Sequence, residues 1–171
     1  MRSIYKIVVC SLLTLSITSC EKDLLEKEQY QKEIYLIGAY NRVWTTEVSY
    51  SNEEVKTYFT VSSSGTLALD RDVNVKMKIN EELVDIYNKK YWTVLNEDKY
   101  YKSLDTDLYS IPSLENTVIK HAEGISTEVP VLIKTASLKI DQSYVIPVEI
   151  ESTTGYPVST SGYKMLVLLK L

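Results

Sequence analysis

Two stretches of strict alternation constrain this chain more than anything else in it. Val55, Thr57, Phe59 and Val61 alternate with Lys56, Tyr58, Thr60 and Ser62. Val73, Val75, Met77 and Ile79 alternate with Asn74, Lys76, Lys78 and Asn80. A period of two puts every second side chain on one face, so each stretch predicts a strand with one buried and one wet face. Strands of that kind pair antiparallel, because parallel strands are usually covered on both faces. Further strands are predicted at 33–37, 109–111, 117–119, 129–133 and 144–150. The run 163–170 is apolar on both faces and predicts a central or covered strand. Pro147 cannot donate to a ladder, which predicts an edge or a bulge in its strand.

One helix is predicted between them. Asn80 can cap it, Glu81 and Glu82 suit its positive end, and Lys89 and Lys90 its negative end. Leu83, Ile86 and Tyr87 share a face at helical spacing. Tyr91 to Tyr109 is polar and rich in tyrosine, and predicts a loop with little regular structure. Roughly seven to nine short strands with turns between them predict an all-β fold, a β-sandwich with one short helix.

The first nineteen residues predict an export signal. Arg2 and Lys6 precede the apolar run 7–15, and Ser16-Ile17-Thr18-Ser19-Cys20 follows. The run is too short to span a bilayer comfortably. Ile17-Thr18-Ser19-Cys20 has the order of a lipobox: a branched apolar residue, two small residues, then the cysteine whose thiol accepts a diacylglyceryl group. Residues 1–19 are therefore expected to be a lipoprotein signal peptide, with lipidation at Cys20. Residues 20–32 are the lipidated cysteine and a charged tether, and 33–171 a single β-sandwich domain. Two or three acyl chains hold a protein durably, at about 0.8 kcal/mol per buried methylene.

Cleavage changes the composition that matters. The signal holds two of the 19 cations and none of the 23 acids, so the net charge moves from −4 to −6. An acidic surface argues against nucleic acid as a partner. Cys10 leaves with the signal and Cys20 is consumed by lipid, which leaves no thiol for a disulfide, a metal or a nucleophile.

Patterns for catalysis and metal binding are weak, and no metal or cofactor is expected. His121, the one histidine, lies beside a strand and a turn and is read as an exposed polar residue. Asp70-x-Asp72-x-Asn74 with Glu81 imitates a calcium loop, but Val75 stands where the sharp turn needs glycine. Glu53-Glu54, Glu97-Asp98 and Asp105-x-Asp107 could serve acid/base glycoside chemistry, yet solvated loops explain them as well. The tyrosines are a stronger lead: there are 14, against two Trp and one Phe. A ring with a hydroxyl can stack on a sugar, anchor a protein interface, or simply pack at a loop–core junction. Trp92, Tyr100 and Tyr101 are the candidate binding residues, and a platform requires at least two of these rings to be exposed and close together.

Several stretches together resemble one family. They are the 73–79 strand, Leu83-Val84-Asp85-Ile86-Tyr87-Asn88, Tyr91 and Leu95, Val118-Ile119, the Glu123-Gly124 turn, and Tyr144-Val145-Ile146-Pro147-Val148-Glu149-Ile150. The pattern is similar to the domain of unknown function 1735 family, found near the N-termini of Bacteroidetes surface lipoproteins. The resemblance covers roughly residues 33 to 155 and implies an immunoglobulin-like antiparallel β-sandwich, with Tyr91 pointing inward. It also implies a place beside glycan-binding or glycan-cleaving domains in glycan utilisation. Many members have Leu-Pro where this chain has Leu95-Asn96, and many continue into a second domain, so a companion domain's function does not carry over.

The resulting expectation is a non-enzymatic accessory lipoprotein of the outer membrane, held by its lipid, facing either the periplasm or the cell exterior. Its partner would be a glycan or another surface protein. Lys22-Asp23 is similar to the acidic signals that send such lipoproteins to the outer face. The alternative is a small glycan-active hydrolase, or a detached accessory domain of one, using loop carboxylates.

Overall fold

The two alternating stretches are strands in different sheets, and their buried residues meet in one core. A computed structural model describes residues 27–171. The predicted signal peptide, Cys20 and the tether up to residue 26 lie outside the described residues. The strands are β1 (Ile34–Leu36), β2 (Val43–Glu47), β3 (Glu54–Ser63), β4 (Val73–Ile79), β5 (Lys102–Ser103), β6 (Tyr109–Ser110), β7 (Thr117–Ile119), β8 (Ser126–Lys134), β9 (Tyr144–Thr153) and β10 (Lys164–Lys170). The helix α1 spans Glu82–Tyr91. One sheet runs β1-β3-β8-β6 and the other β2-β10-β9-β4-β7, with β5 beside the start of β9. The fold is an all-β sandwich with one short helix.

Pairing between the named strands is antiparallel except at two places. β2 lies parallel to β10, and β5 parallel to β9. These are the short strands that leave and rejoin the larger sheet, where a crossover rather than a hairpin supplies the neighbour.

The alternation translates directly into burial. Phe59 and Val61 on β3, Val73, Val75 and Met77 on β4, and Val129, Val131 and Ile133 on β8 are all buried between the sheets. Strand β10 is apolar on both faces because both are covered. Met165, Val167 and Leu169 face the main core, while Leu166 and Leu168 pack with Leu83 and Val84 of α1 and Val145 of β9.

Pro147 corrects the expectation of an edge. β9 is interior, between β10 and β4. The carbonyl of Pro147 accepts from Asn80 N–H at 3.0 Å, and its cross-strand neighbour Leu166 donates instead to Arg42 O at 2.8 Å. The imide of Pro147 therefore faces the place where β4 turns off into α1 and β5 has already ended, so no ladder bond is lost. A bulge does occur in β9, further along at Glu151, where the register with β4 shifts between Lys76 and Met77.

The described residues of the expected tether are docked on the domain. The carboxylate of Glu28 accepts from the backbone N–H of Thr66 at 2.7 Å and of Leu67 at 3.3 Å, and pairs with Lys32 at 2.5 Å. Lys32, then these backbone donors, hold the Glu28 carboxyl at about 2, well below the ordinary 4.5. A depressed carboxylate pKa stabilises the docked state above 4.5, and that contribution is lost as pH falls through about 2. The amide resonances of Thr66 and Leu67 should therefore titrate with a midpoint near 2. A midpoint near 4.5 would show that the clamp does not form in solution.

Candidate functional site

The helix that follows β4 is attached to the outside of the larger sheet by side chains the sequence places at fixed intervals. Asn80 Oδ1 accepts from Glu82 N–H at 3.2 Å, and Asn80 Nδ2 donates to Glu149 Oε2 at 2.5 Å, which ties the start of α1 to β9. Asn88 is buried and clamps the returning chain. Its Oδ1 accepts from Tyr101 N–H at 3.0 Å and its Nδ2 donates to Tyr101 O at 2.9 Å. Tyr87 stacks on Tyr101 with ring centroids 5.2 Å apart and planes 12° from parallel. Burial, with Tyr101 beside it, pushes the Tyr87 phenol up to about 12, so it remains a protonated donor. The Leu-x-x-x-Tyr-Asn pattern is thus a docking device for the helix: Leu83 packs, Tyr87 stacks and Asn88 bonds.

This arrangement revises the expected recognition platform. Trp92, Tyr100 and Tyr101 are each half-buried, and no ring contact joins the three among the described residues. Tyr101 is occupied by Tyr87. The indole N–H of Trp92 is buried without a hydrogen-bond partner, so its polar edge faces the protein, and Lys99 Nζ lies 5.7 Å from its ring. Tyr91, expected inward, is 47% exposed, and Ile86, expected on the packed face, is 51% exposed. The packed face of α1 is Leu83, Val84, Tyr87 and Asn88. The stripe this ten-residue helix buries is described better by i, i+1, i+4, i+5 spacing than by the i, i+3, i+4 of the prediction.

The turned-out Ile86 borders a groove that sequence reasoning missed. It holds about 410 Å³ and lies between α1, the turn before β2 and the start of β10. Tyr40, Arg42, Ile86, Tyr87, Tyr163 and Lys164 line it, with the exposed hydroxyls of Thr160 and Ser161 at its side. Tyr40 is 89% exposed. It stands on a tight turn opened by Gly38, whose φ is 88°. A Cβ at Gly38 would lie 2.6 Å from the Trp44 ring, so both the backbone and the space exclude any side chain there. Lys164 Nζ sits 4.9 Å from the Tyr163 ring centroid. No contiguous motif could have shown this site, since its residues come from separate stretches of sequence.

The remaining chemical candidates lie elsewhere. His121 Nδ1 is 2.7 Å from Asp72 Oδ1, both half-exposed, and this contact holds the Asp72 carboxyl below its usual range. Asp70 pairs with Arg71 at 2.9 Å and is bonded by the Tyr156 hydroxyl. The would-be calcium carboxylates thus serve separate partners, and residues 73–79 are strand. Glu53, Glu54, Glu97, Asp98, Asp105 and Asp107 are all exposed, outside the groove.

Several solved structures share this fold. A candidate carbohydrate-binding protein from Bacteroides ovatus superposes with a TM-score of 0.61 at 18% identity, over 81% of this chain and 36% of its own. A multidomain protein including DUF1735, also from Bacteroides ovatus, gives 0.59 at 19%, over 75% and 40%. An auxiliary nutrient-binding protein from Bacteroides thetaiotaomicron gives 0.60 at 14%, over 77% and 44%. The chain thus spans less than half the length of each. At these identities the likeness is one of fold. No curated protein matches the sequence. A family model of an N-terminal domain matches residues 30–157, well over half of the chain. The chain belongs to the domain of unknown function 1735-like family of N-terminal domains.

Proposed function

We propose that this protein is a non-enzymatic accessory lipoprotein of the outer membrane, anchored through Cys20, that binds a glycan in the groove beside α1. The observation that carries the reading is the groove itself, an open cleft of about 410 Å³ with tyrosine rings and free hydroxyls on its walls. That is the size of an ordinary small-ligand site, and its surfaces match a sugar, which offers apolar ring faces and a hydroxyl edge. The names of two structural relatives, one a candidate for binding carbohydrate and one for nutrient binding, support the same direction. The non-enzymatic part rests on the placing of the acids: the pairs suited to glycoside chemistry are solvated and lie outside the groove.

Geometry also supports an orientation in which α1 and the loop after it point away from the lipid. Glu28 docks at the loop after β3, whereas Tyr91 to Tyr101 hang beside the first residues of β9. The ten residues of β9 separate these ends, by roughly 30 Å at about 3.3 Å per residue. A lipid attached just before Glu28 would hold the helix end away from the membrane.

A glycan array probed with the detergent-solubilised full chain, beside a hydrolysis screen on the same glycans, tests the reading. Retention without release of shorter products is expected. Tyr40→Ala should weaken retention about tenfold while leaving the melting temperature unchanged. Turnover would make the protein a hydrolase, and an array without any retained glycan would leave a protein partner as the better account.

A further inference from the structure

The walls of the groove carry a charge pattern opposite to that of the protein as a whole. The chain has 23 acids against 19 cations. The groove, however, is lined by Arg42 and Lys164 and by no Asp or Glu. Neither cation is neutralised by an acid: among the described residues, no ion pair involves Arg42 or Lys164. Lys164 does face Glu149 across the β9–β10 ladder, but that carboxylate is turned to Lys78 at 3.5 Å and to Asn80 at 2.5 Å. An arginine and a lysine without carboxylate partners, among tyrosines on the same walls, form a cationic and aromatic binding surface.

The backbone of Arg42 adds a second, independent observation. Its φ is 64°, and it is the one non-glycine among the described residues with positive φ. For a long side chain that conformation is uncommon and carries a steric cost. Two main-chain bonds hold it, from Arg42 N–H to Ala39 O and from Leu166 N–H to Arg42 O, each 2.8 Å. Neither bond uses the guanidinium. A glycine or asparagine would meet the backbone requirement at lower cost, so nothing in the main chain calls for an arginine here.

We infer that the groove selects an acidic saccharide, one bearing uronate carboxylates or sulfate esters, with Arg42 and Lys164 on the anionic groups and Tyr40 on a sugar face. This rests on the glycan-binding reading above and names its ligand class. Guanidinium is the apt group, since its planar fork meets a carboxylate or sulfate through two parallel N–H···O bonds. Lys164 supplies a second point charge near the Tyr163 ring, so neighbouring acidic units along an oligosaccharide could both be met.

The test is a binding titration of the detergent-solubilised full chain at low salt with four probes. They are oligogalacturonate, the same oligosaccharide after reduction of its carboxyl groups, a sulfated galactan oligosaccharide, and polyglutamate as an anion without sugar rings. At least one acidic sugar is expected to bind about tenfold or more tightly than the carboxyl-reduced form, with the difference shrinking as salt rises. Arg42→Gln should remove most of that preference, and Tyr40→Ala should weaken both sugars alike. Because Tyr40 is almost fully exposed, its variant keeps the test valid should Arg42→Gln fold poorly. Equal binding of acidic and reduced sugars would overturn the inference while leaving glycan binding intact. An acidic preference that survives Arg42→Gln, or sugar binding that Tyr40→Ala leaves unweakened, would place the site elsewhere and also overturn it. Polyglutamate binding as tightly as the sugars would reduce the effect to bulk charge attraction and overturn it too. No binding of any sugar, here and on the array, would remove the glycan reading as well.

Discussion

Met77→Asp is expected to cost the protein several kcal/mol and to leave it largely unfolded at moderate temperature. Met77 is 1% exposed, at the centre of β4 between the two sheets. Its thioether fills the core, and losing that packing alone costs about 2–5 kcal/mol. The introduced carboxyl would then be buried without a partner, which adds several kcal/mol whether it stays charged or takes up a proton. A domain of this size has only about 5–15 kcal/mol in total. Lys76→Asp is the control. Lys76 is one residue away on the wet face, with its Nζ 2.6 Å from Glu151 and its side chain half-exposed. Losing that exposed pair and placing a second acid beside Glu151 should cost about 1 kcal/mol or less. Denaturant midpoints for the two variants give the comparison directly. Equal destabilisation would mean that β4 is assigned to the wrong register.

Cys20→Ser should abolish membrane attachment altogether. Under the lipobox reading, the thiol of Cys20 is the only group that can receive the diacylglyceryl unit, and serine is not a substitute acceptor. With each buried methylene contributing about 0.8 kcal/mol, removing two or three chains takes away nearly all the affinity for the bilayer. No helix among the described residues is long and apolar enough to cross a membrane in its place. Metabolic labelling with a fatty acid analogue should therefore fall to background in the variant, and undiminished labelling would refute the assignment. The position of Glu28 gives the anchor a further consequence. Residues 21–27 are all that separates the lipid from the first docked side chain, a span of roughly 25 Å at full extension. The domain would be held close to the bilayer rather than on a long leash.

The candidate site was far less legible in the sequence than the strands. Tyrosine abundance pointed to Trp92, Tyr100 and Tyr101 because they crowd one predicted loop. Crowding in sequence says nothing about which ring faces out, and Asn88 draws the backbone of Tyr101 against the helix so that its ring stacks on Tyr87. The family pattern misled in the same way about Tyr91. Its recurring Leu, Tyr and Asn report how α1 docks, and the neighbouring Tyr91 and Ile86 fall on the side that remains open. Tyr40 and Arg42 had no local signal at all, since a tyrosine and an arginine in a short turn form no pattern of their own.

The division between the two sources of information follows the range of the forces involved. Pleating is a property of successive residues, so alternation along 55–61 and 73–79 was sufficient to determine strands, their inward faces and a sandwich class. The capping and charge pattern of 80–90 determined the helix for the same reason, because a helix closes its bonds within four residues. Pairing is not local. Nothing in 43–47 or 164–170 says that these strands lie parallel, or that Pro147 sits beside a gap rather than at an edge. Those facts arise only when α1 covers Leu166 and the chain crosses back to β2. The groove is the extreme case: residues 40, 42, 87, 163 and 164 become neighbours through the assembled sheet, and only the tertiary structure brings their rings and charges onto one wall.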